Sequence, residues 1–223
     1  MQLSRPDSHR GFRFLDLPAE IRLNVYSFLL VCQSKCPVAI YYNSCRSHTS
    51  RITGLSRGIA ILRACKLIYE EAAPVLYGSN KFVFCSIFFP IFLAQIGIKS
   101  VSLLHEVELN CIVDQGCFDR GVRMLGSAVS MNKLTVGNGL WSPERPRLMA
   151  STLWPMVKSL DAARKSKSDP TQKRNDIPEI FGFVQQTFSE DRLRLPKEQA
   201  RDDALEFASK VREILRENLL MGF

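Results

Sequence analysis

Cys32, Cys36, Cys45 and His48 stand in the order Cys-x3-Cys-x8-Cys-x2-His. Those are the four nitrogen and sulfur donors that a tetrahedral zinc ion takes. The stronger zinc signature is a Cys-x2-Cys pair on a knuckle turn, and this spacing lacks it. A β-branched and aromatic run, residues 37–42, also separates the first two donors from the last two. The expectation is unrelated thiols and no metal site. The three histidines, His9, His48 and His105, lie in unrelated contexts, and His105 beside Glu106 reads as a surface pair. Glu70-Glu71 and Asp202-Asp203 are adjacent in sequence, so on a helix the two carboxylates of each pair do not face one another. There is no glycine-rich phosphate loop, nucleophile elbow, metal-binding histidine pair or kinase signature. A Cys–His nucleophile pair stays open, because such partners meet only in the fold. The chain therefore reads as a protein without catalytic residues or cofactor.

Two blocks supply the elements that would carry any site. The first, residues 14–30, is FLDLPAEIRLNVYSFLL. Asp16 is placed to cap a helix, and Pro18 loses no hydrogen bond in its first turn. Glu20 puts negative charge near the positive end of the helix dipole. Ile21, Val25, Phe28 and Leu29 recur at helical spacing, which predicts a helix over residues 17–30 with that stripe toward the core. The second block, residues 61–84, is ILRACKLIYEEAAPVLYGSNKFVF. Ile61, Leu62, Cys65, Ile68 and Ala72 predict a helix with Cys65 as a small buried hydrophobe. Pro74 either kinks that helix or starts a new one, Gly78 stops it, and residues 81–84 read as a strand.

Together these blocks resemble the F-box-like proteins of filamentous fungi. The resemblance rests on Leu17, Pro18, Glu20, Ile21 and Arg22. It continues through Cys65, Ile68, Glu71 and Ala72, and ends at Leu76, Tyr77, Asn80 and Phe82. It covers about a third of the chain and departs from the ordinary F-box in the long insertion at 31–58 and in a missing tryptophan. The resemblance implies a module docking on a Skp-type adaptor and, through it, a cullin, so that the chain recruits an unknown substrate protein to a ubiquitin ligase. Leu17, Pro18, Ile21, Val25, Leu62 and Ile68 are the partner-binding residues it implies. A stand-alone interaction module of the same fold is the rival.

The 223 residues suffice for one large domain or a small module beside a larger one. The composition, 46% hydrophobic and 23% charged, is that of a globular protein. A net charge of +8 favours an acidic partner, but no basic stripe is interleaved with aromatics, so neither nucleic acid nor membrane is expected as a partner. Seven cysteines, an odd number, do not make a small disulfide scaffold. The first residues hold no apolar signal segment, which points to cytoplasm or nucleus.

The remaining elements follow in order. Residues 1–13 read as disordered. Residues 37–42 read as a strand inserted in the module, and residues 43–58 as a loop. Residues 82–98 carry no charge; with Pro90 and Gln95 inside, they read as a strand and a buried helix ending near Gly97. Strands are expected at 105–112, from the alternation of Val107, Leu109 and Cys111, and at 133–136. Helices are expected at 117–131 and at 145–164, the second bent at Pro155. A basic linker, 164–176, precedes a possible strand at 177–184 and a long final helix from Pro196, with Leu205, Ala208, Val211, Leu215 and Leu219 as its stripe. The expected class is α+β or α/β. An F-box-like helical module, residues 14–84, would lead into an irregular leucine-rich-like strand–helix array within an α/β carrier region, residues 85–223.

Overall fold

The structure is a computed structural model, and it describes residues 13–32, 38–42, 50–53, 58–111, 114–137, 142–166, 176–184 and 197–222. After a 3-10 turn at Phe14–Asp16 come helix α1 (Ala19–Leu30) and strands β1 (Val38–Tyr42) and β2 (Ser50–Thr53). A second 3-10 turn, Ile59–Arg63, leads to α2 (Lys66–Ser79) and β3 (Lys81–Cys85). The chain then alternates through α3 (Phe88–Val101), β4 (Glu106–Cys111), α4 (Gln115–Met124), β5 (Lys133–Gly137), α5 (Pro146–Ser166), β6 (Phe181–Val184) and α6 (Lys197–Met221).

The six strands form one sheet in the order β2-β1-β3-β4-β5-β6. β1, β3, β4, β5 and β6 are mutually parallel, and β2 adds an antiparallel edge. From β3 onward each strand lands beside the one before it, always on the same side. Crossovers between parallel strands share one hand, so steps in one direction put every connecting helix on one face. The core shows this. All six helices contribute to a single cluster, to which β3, β4, β5 and β6 each give alternate residues and β1 gives Val38. Two in-register rows carry it: Val38, Phe82, Val107, Leu134 and Phe181, then Phe84, Leu109, Val136 and Phe183. The other face carries the charged row Lys81, Glu106 and Lys133, with Lys81 paired to Glu108.

Aromatic rings fill the start of this layer. Phe84 lies 4.9 Å from Phe92 and 5.5 Å from Phe89, centroid to centroid. At the far end Phe183 meets Phe207 edge-on at 4.8 Å. There Arg212 also donates to the Phe181 carbonyl at 2.8 and 3.1 Å, which occupies a backbone acceptor of the last strand.

The mixed class and the long final helix are as expected. Four local readings change. Asp16 does not cap α1: the helix opens after Pro18 with no side-chain cap. The second block is not one helix, because Cys65 is extended (φ −163°, ψ 170°) and separates a 3-10 turn from α2. Cys65 is accordingly exposed, not buried. The insertion supplies two strands rather than one, since 50–53 pairs with β1. Pro74 stays inside α2, and Pro155 inside α5. Gly97 breaks the helical path within α3 at φ 73°, a backbone region that favours glycine. Residues 82–98 become β3 and most of α3, and no described helix is long and apolar enough to cross a membrane.

Candidate functional site

The residues that carried the resemblance converge where α1 lies on α2, although some fifty positions separate them in sequence. Arg22 projects from α1, and Glu71 from α2. The Arg22 guanidinium donates to both Glu71 carboxylate oxygens, at 2.9 and 2.5 Å. Its third nitrogen donates to the Leu17 carbonyl at 2.5 Å and to the Leu15 carbonyl at 3.3 Å. The fork geometry of a guanidinium permits this double use, which a lysine could not copy. Tyr26, one turn on from Arg22, donates its hydroxyl to Glu71 at 2.9 Å.

The charges respond to this arrangement. The hydrogen bond from Arg22 holds the Glu71 carboxyl below the usual carboxylate range, against a smaller opposing effect of desolvation. Burial, reinforced by Glu71, pushes the Tyr26 phenol up to about 12. A phenol held neutral beside a carboxylate held ionised is a structural clasp. It keeps donor and acceptor in fixed roles and leaves no group ready to exchange a proton near neutrality.

Asn80 makes the second clasp. Its amide nitrogen donates to the carbonyls of Leu30 (2.7 Å) and Leu76 (2.8 Å), and its amide oxygen accepts from the Cys32 N–H (2.9 Å). Those carbonyls belong to the last turns of α1 and α2, where the helices themselves supply no donor. The contact is close elsewhere too. A Cβ built on Gly58 would stand 2.1 Å from the Leu29 carbonyl oxygen, so only a residue without a side chain fits there.

The packing of α1 reverses the expected orientation of its stripe. The buried residues are Tyr26 and Leu30, in line with Arg22. Ile21, Phe28 and Leu29, expected in the core, are 43%, 71% and 37% exposed. At 100° per residue, Arg22, Tyr26 and Leu30 define one direction. Ile21, Val25, Phe28 and Leu29 fill an arc beside it, and Glu20, Asn24 and Ser27 lie on the remaining side. The helix is therefore apolar over more of its surface than it buries. Leu15 and Leu67, each more than 40% exposed, add to the apolar surface of this N-terminal part.

Of the residues expected to bind a partner, Pro18 and Ile21 are exposed, Leu17, Val25 and Leu62 are half-buried, and Ile68 is buried in the core. Leu62 packs against the same core from the 3-10 turn. Sequence reasoning missed Tyr26 and took Arg22 and Asn80 only as residues of the resemblance, without their packing roles. Their signal was the pattern itself, since a buried asparagine and a cross-block ion pair are what two helices need to stay together.

Cys36, Cys45 and His48 lie outside the described residues, so the zinc spacing is not drawn together here; among the described residues no group of three ligating side chains could hold a metal. The basic linker, residues 164–176, lies mostly outside them as well. Comparison of the chain with protein-family models, with curated proteins and with solved structures finds no match.

Proposed function

We propose that the chain is an F-box-like adaptor that docks on a Skp-type subunit of a cullin ubiquitin ligase through α1, and that the strand–helix layer recruits a substrate protein. One observation carries this reading: the apolar stripe of α1 faces solvent while a different side of the same helix packs inward. Burying a large apolar side chain yields about 1.5–3 kcal/mol. A chain that leaves Ile21, Phe28 and Leu29 in water forgoes that gain within its own fold. An apolar helix face of this kind, anchored at i, i+4 and i+7 by Ile21, Val25 and Phe28, suits a partner's groove. The two clasps hold α1 in place, so docking need not order it.

The experiment is size-exclusion chromatography of the chain with the Skp-type adaptor of its own host, at moderate salt. A 1:1 complex is expected. Ile21→Ser with Phe28→Ser is expected to abolish it while leaving the thermal midpoint within about 2 °C, because surface substitutions change stability by roughly 0.5 kcal/mol or less. Failure of the folded wild-type chain to bind would sink the ligase reading.

The second reading is a stand-alone interaction module of the same fold. Its support is that Ile68 and Leu62, implied as docking residues, pack in the chain's own core. The long insertion also supplies β1, which pairs with β3. On that reading the α1 stripe binds a partner other than the ligase adaptor.

A further inference from the structure

A pocket of about 340 Å³ opens between α3 and the end of α4. Leu93, Ala94, Ile98 and Val101 line it from α3, Met124 from the end of α4, and Ser127 from the 3-10 turn that follows, Leu125–Ser127. The break of α3 at Gly97 lies in its wall, where a Cβ would meet nothing within 4 Å. Ile98 lines the pocket and is 77% exposed. Ser127 donates to the Met124 carbonyl at 3.1 Å, and its oxygen keeps a lone pair for a further donor. A concave, mostly apolar space of this size is that of a ligand pocket.

The surround is basic. α3 lies beside α4, and α4 beside α5. The exposed cations of these three helices are Lys99, Arg120, Arg123, Arg147, Lys158 and Lys165. Against them stand Asp119 and Asp161, the second buried and paired with Lys165 at 2.7 Å. Three of the cations flank the pocket. Lys99 follows Ile98, and Arg123 precedes Met124. Lys158 precedes Ser159, whose hydroxyl stands 3.0 Å from where a Cβ on Gly126 would lie, next to Ser127. Among the described residues no ion pair engages Lys99, Arg123 or Lys158.

We propose that this pocket anchors an acidic peptide segment of a partner protein. One large apolar side chain of the segment enters the pocket, and carboxylates on either side of it meet Lys99, Arg123 and Lys158. The charge surplus selects against basic segments, and a single concavity takes one anchor side chain where a membrane surface would need a broad face. The inference rests on the recruiting half of the proposed function, whose substrate it describes chemically, and not on what α1 docks on.

The test is fluorescence anisotropy with the full folded chain at low ionic strength. The probes are short labelled peptides of Asp and Glu with one central Leu, Phe or Trp; the controls carry a central Ser, or Lys in place of every acid. The anchored acidic peptides are expected to bind and to weaken with added salt. The central Ser should cost about tenfold or more, the factor that burying a large apolar side chain yields. Ala94→Phe, at an exposed position of the lining, should fill the pocket and cost a similar factor. Lys99→Glu with Arg123→Glu should cost roughly three- to tenfold. Ile21→Ser with Phe28→Ser should leave peptide affinity unchanged, so failure of adaptor docking and failure of this site are read separately; a loss there would place the peptide on α1, against the proposal. No binding to the folded chain, equal binding of the lysine peptides, affinity indifferent to the anchor or to Ala94→Phe, or binding only to phosphatidylserine vesicles would each overturn it.

Discussion

Replacing Asn80 by alanine should detach α1 before it disturbs the sheet. The side chain is 5% exposed and makes three hydrogen bonds, to Leu30, Leu76 and Cys32. Each buried hydrogen bond is worth about 1 kcal/mol net, and a buried group left without its partner costs 1–3 kcal/mol. Both carbonyls belong to the last turns of their helices, so no neighbouring backbone donor takes over. Asn80→Ala is therefore expected to cost about 3 kcal/mol, near a hundredfold in the unfolding equilibrium. For a chain of this size that is roughly 6–12 °C in the thermal midpoint. Urea denaturation gives the total, and native-state hydrogen exchange gives its location. The amides of α1 should lose protection first, while those of β4 and β5 keep theirs until global unfolding. Asn80→Asp has the same shape but turns two donors into acceptors facing carbonyls. It should be worse than alanine at neutral pH and partly recover in acid, where the carboxyl regains one donor. A loss below about 1 kcal/mol for Asn80→Ala, or equal loss of protection across the sheet, would refute the clasp.

Gly58→Ala should lower the thermal midpoint by about 4–8 °C, from an overpacking cost of roughly 2 kcal/mol, because its Cβ meets backbone at Leu29. Gly97→Ala meets nothing within 4 Å, so its cost should be only the roughly 1–3 kcal/mol of holding a side chain at positive φ with an extended ψ, read by the same melt. The Glu71 carboxyl is lowered from 4.5 in the fold, so its stabilisation is present above that value and is lost as pH falls below it. Glu71→Gln should flatten that acid limb of the stability–pH curve, and an unchanged limb would mean the ion pair contributes nothing. The Tyr26 phenol is raised from 10.0 to about 12, so its contribution holds below 10 and disappears as pH climbs toward 12. Tyr26→Phe should flatten that alkaline limb in urea titrations across the same range.

The sequence by itself determined the elements whose periodicity has a single solution. Val107 and Leu109 alternate with glutamates, which leaves one strand face apolar; α6 opens near Pro196 and carries one stripe, which the fold buries at Val211 and Leu215. The charge-free run of residues 82–98 is shorter than the roughly 20 residues a membrane span needs, and it falls in β3 and most of α3. The tertiary structure decided what periodicity leaves degenerate. On α1 the apolar arc is wider than the buried one, so hydrophobicity could not say which side packs; Arg22, Tyr26 and Leu30 settled it by meeting Glu71 and Asn80 from another helix. β2 reads as loop in sequence because an antiparallel edge strand such as SRIT needs no apolar alternation, and only its pairing with β1 reveals it. Cys65 fits a helical stripe by spacing, yet its extended backbone opens α2 and turns it to solvent. The backbone register that sets Cys85 opposite Cys111 includes a one-residue shift between two strands, and no pattern within either strand encodes a register set by their neighbours.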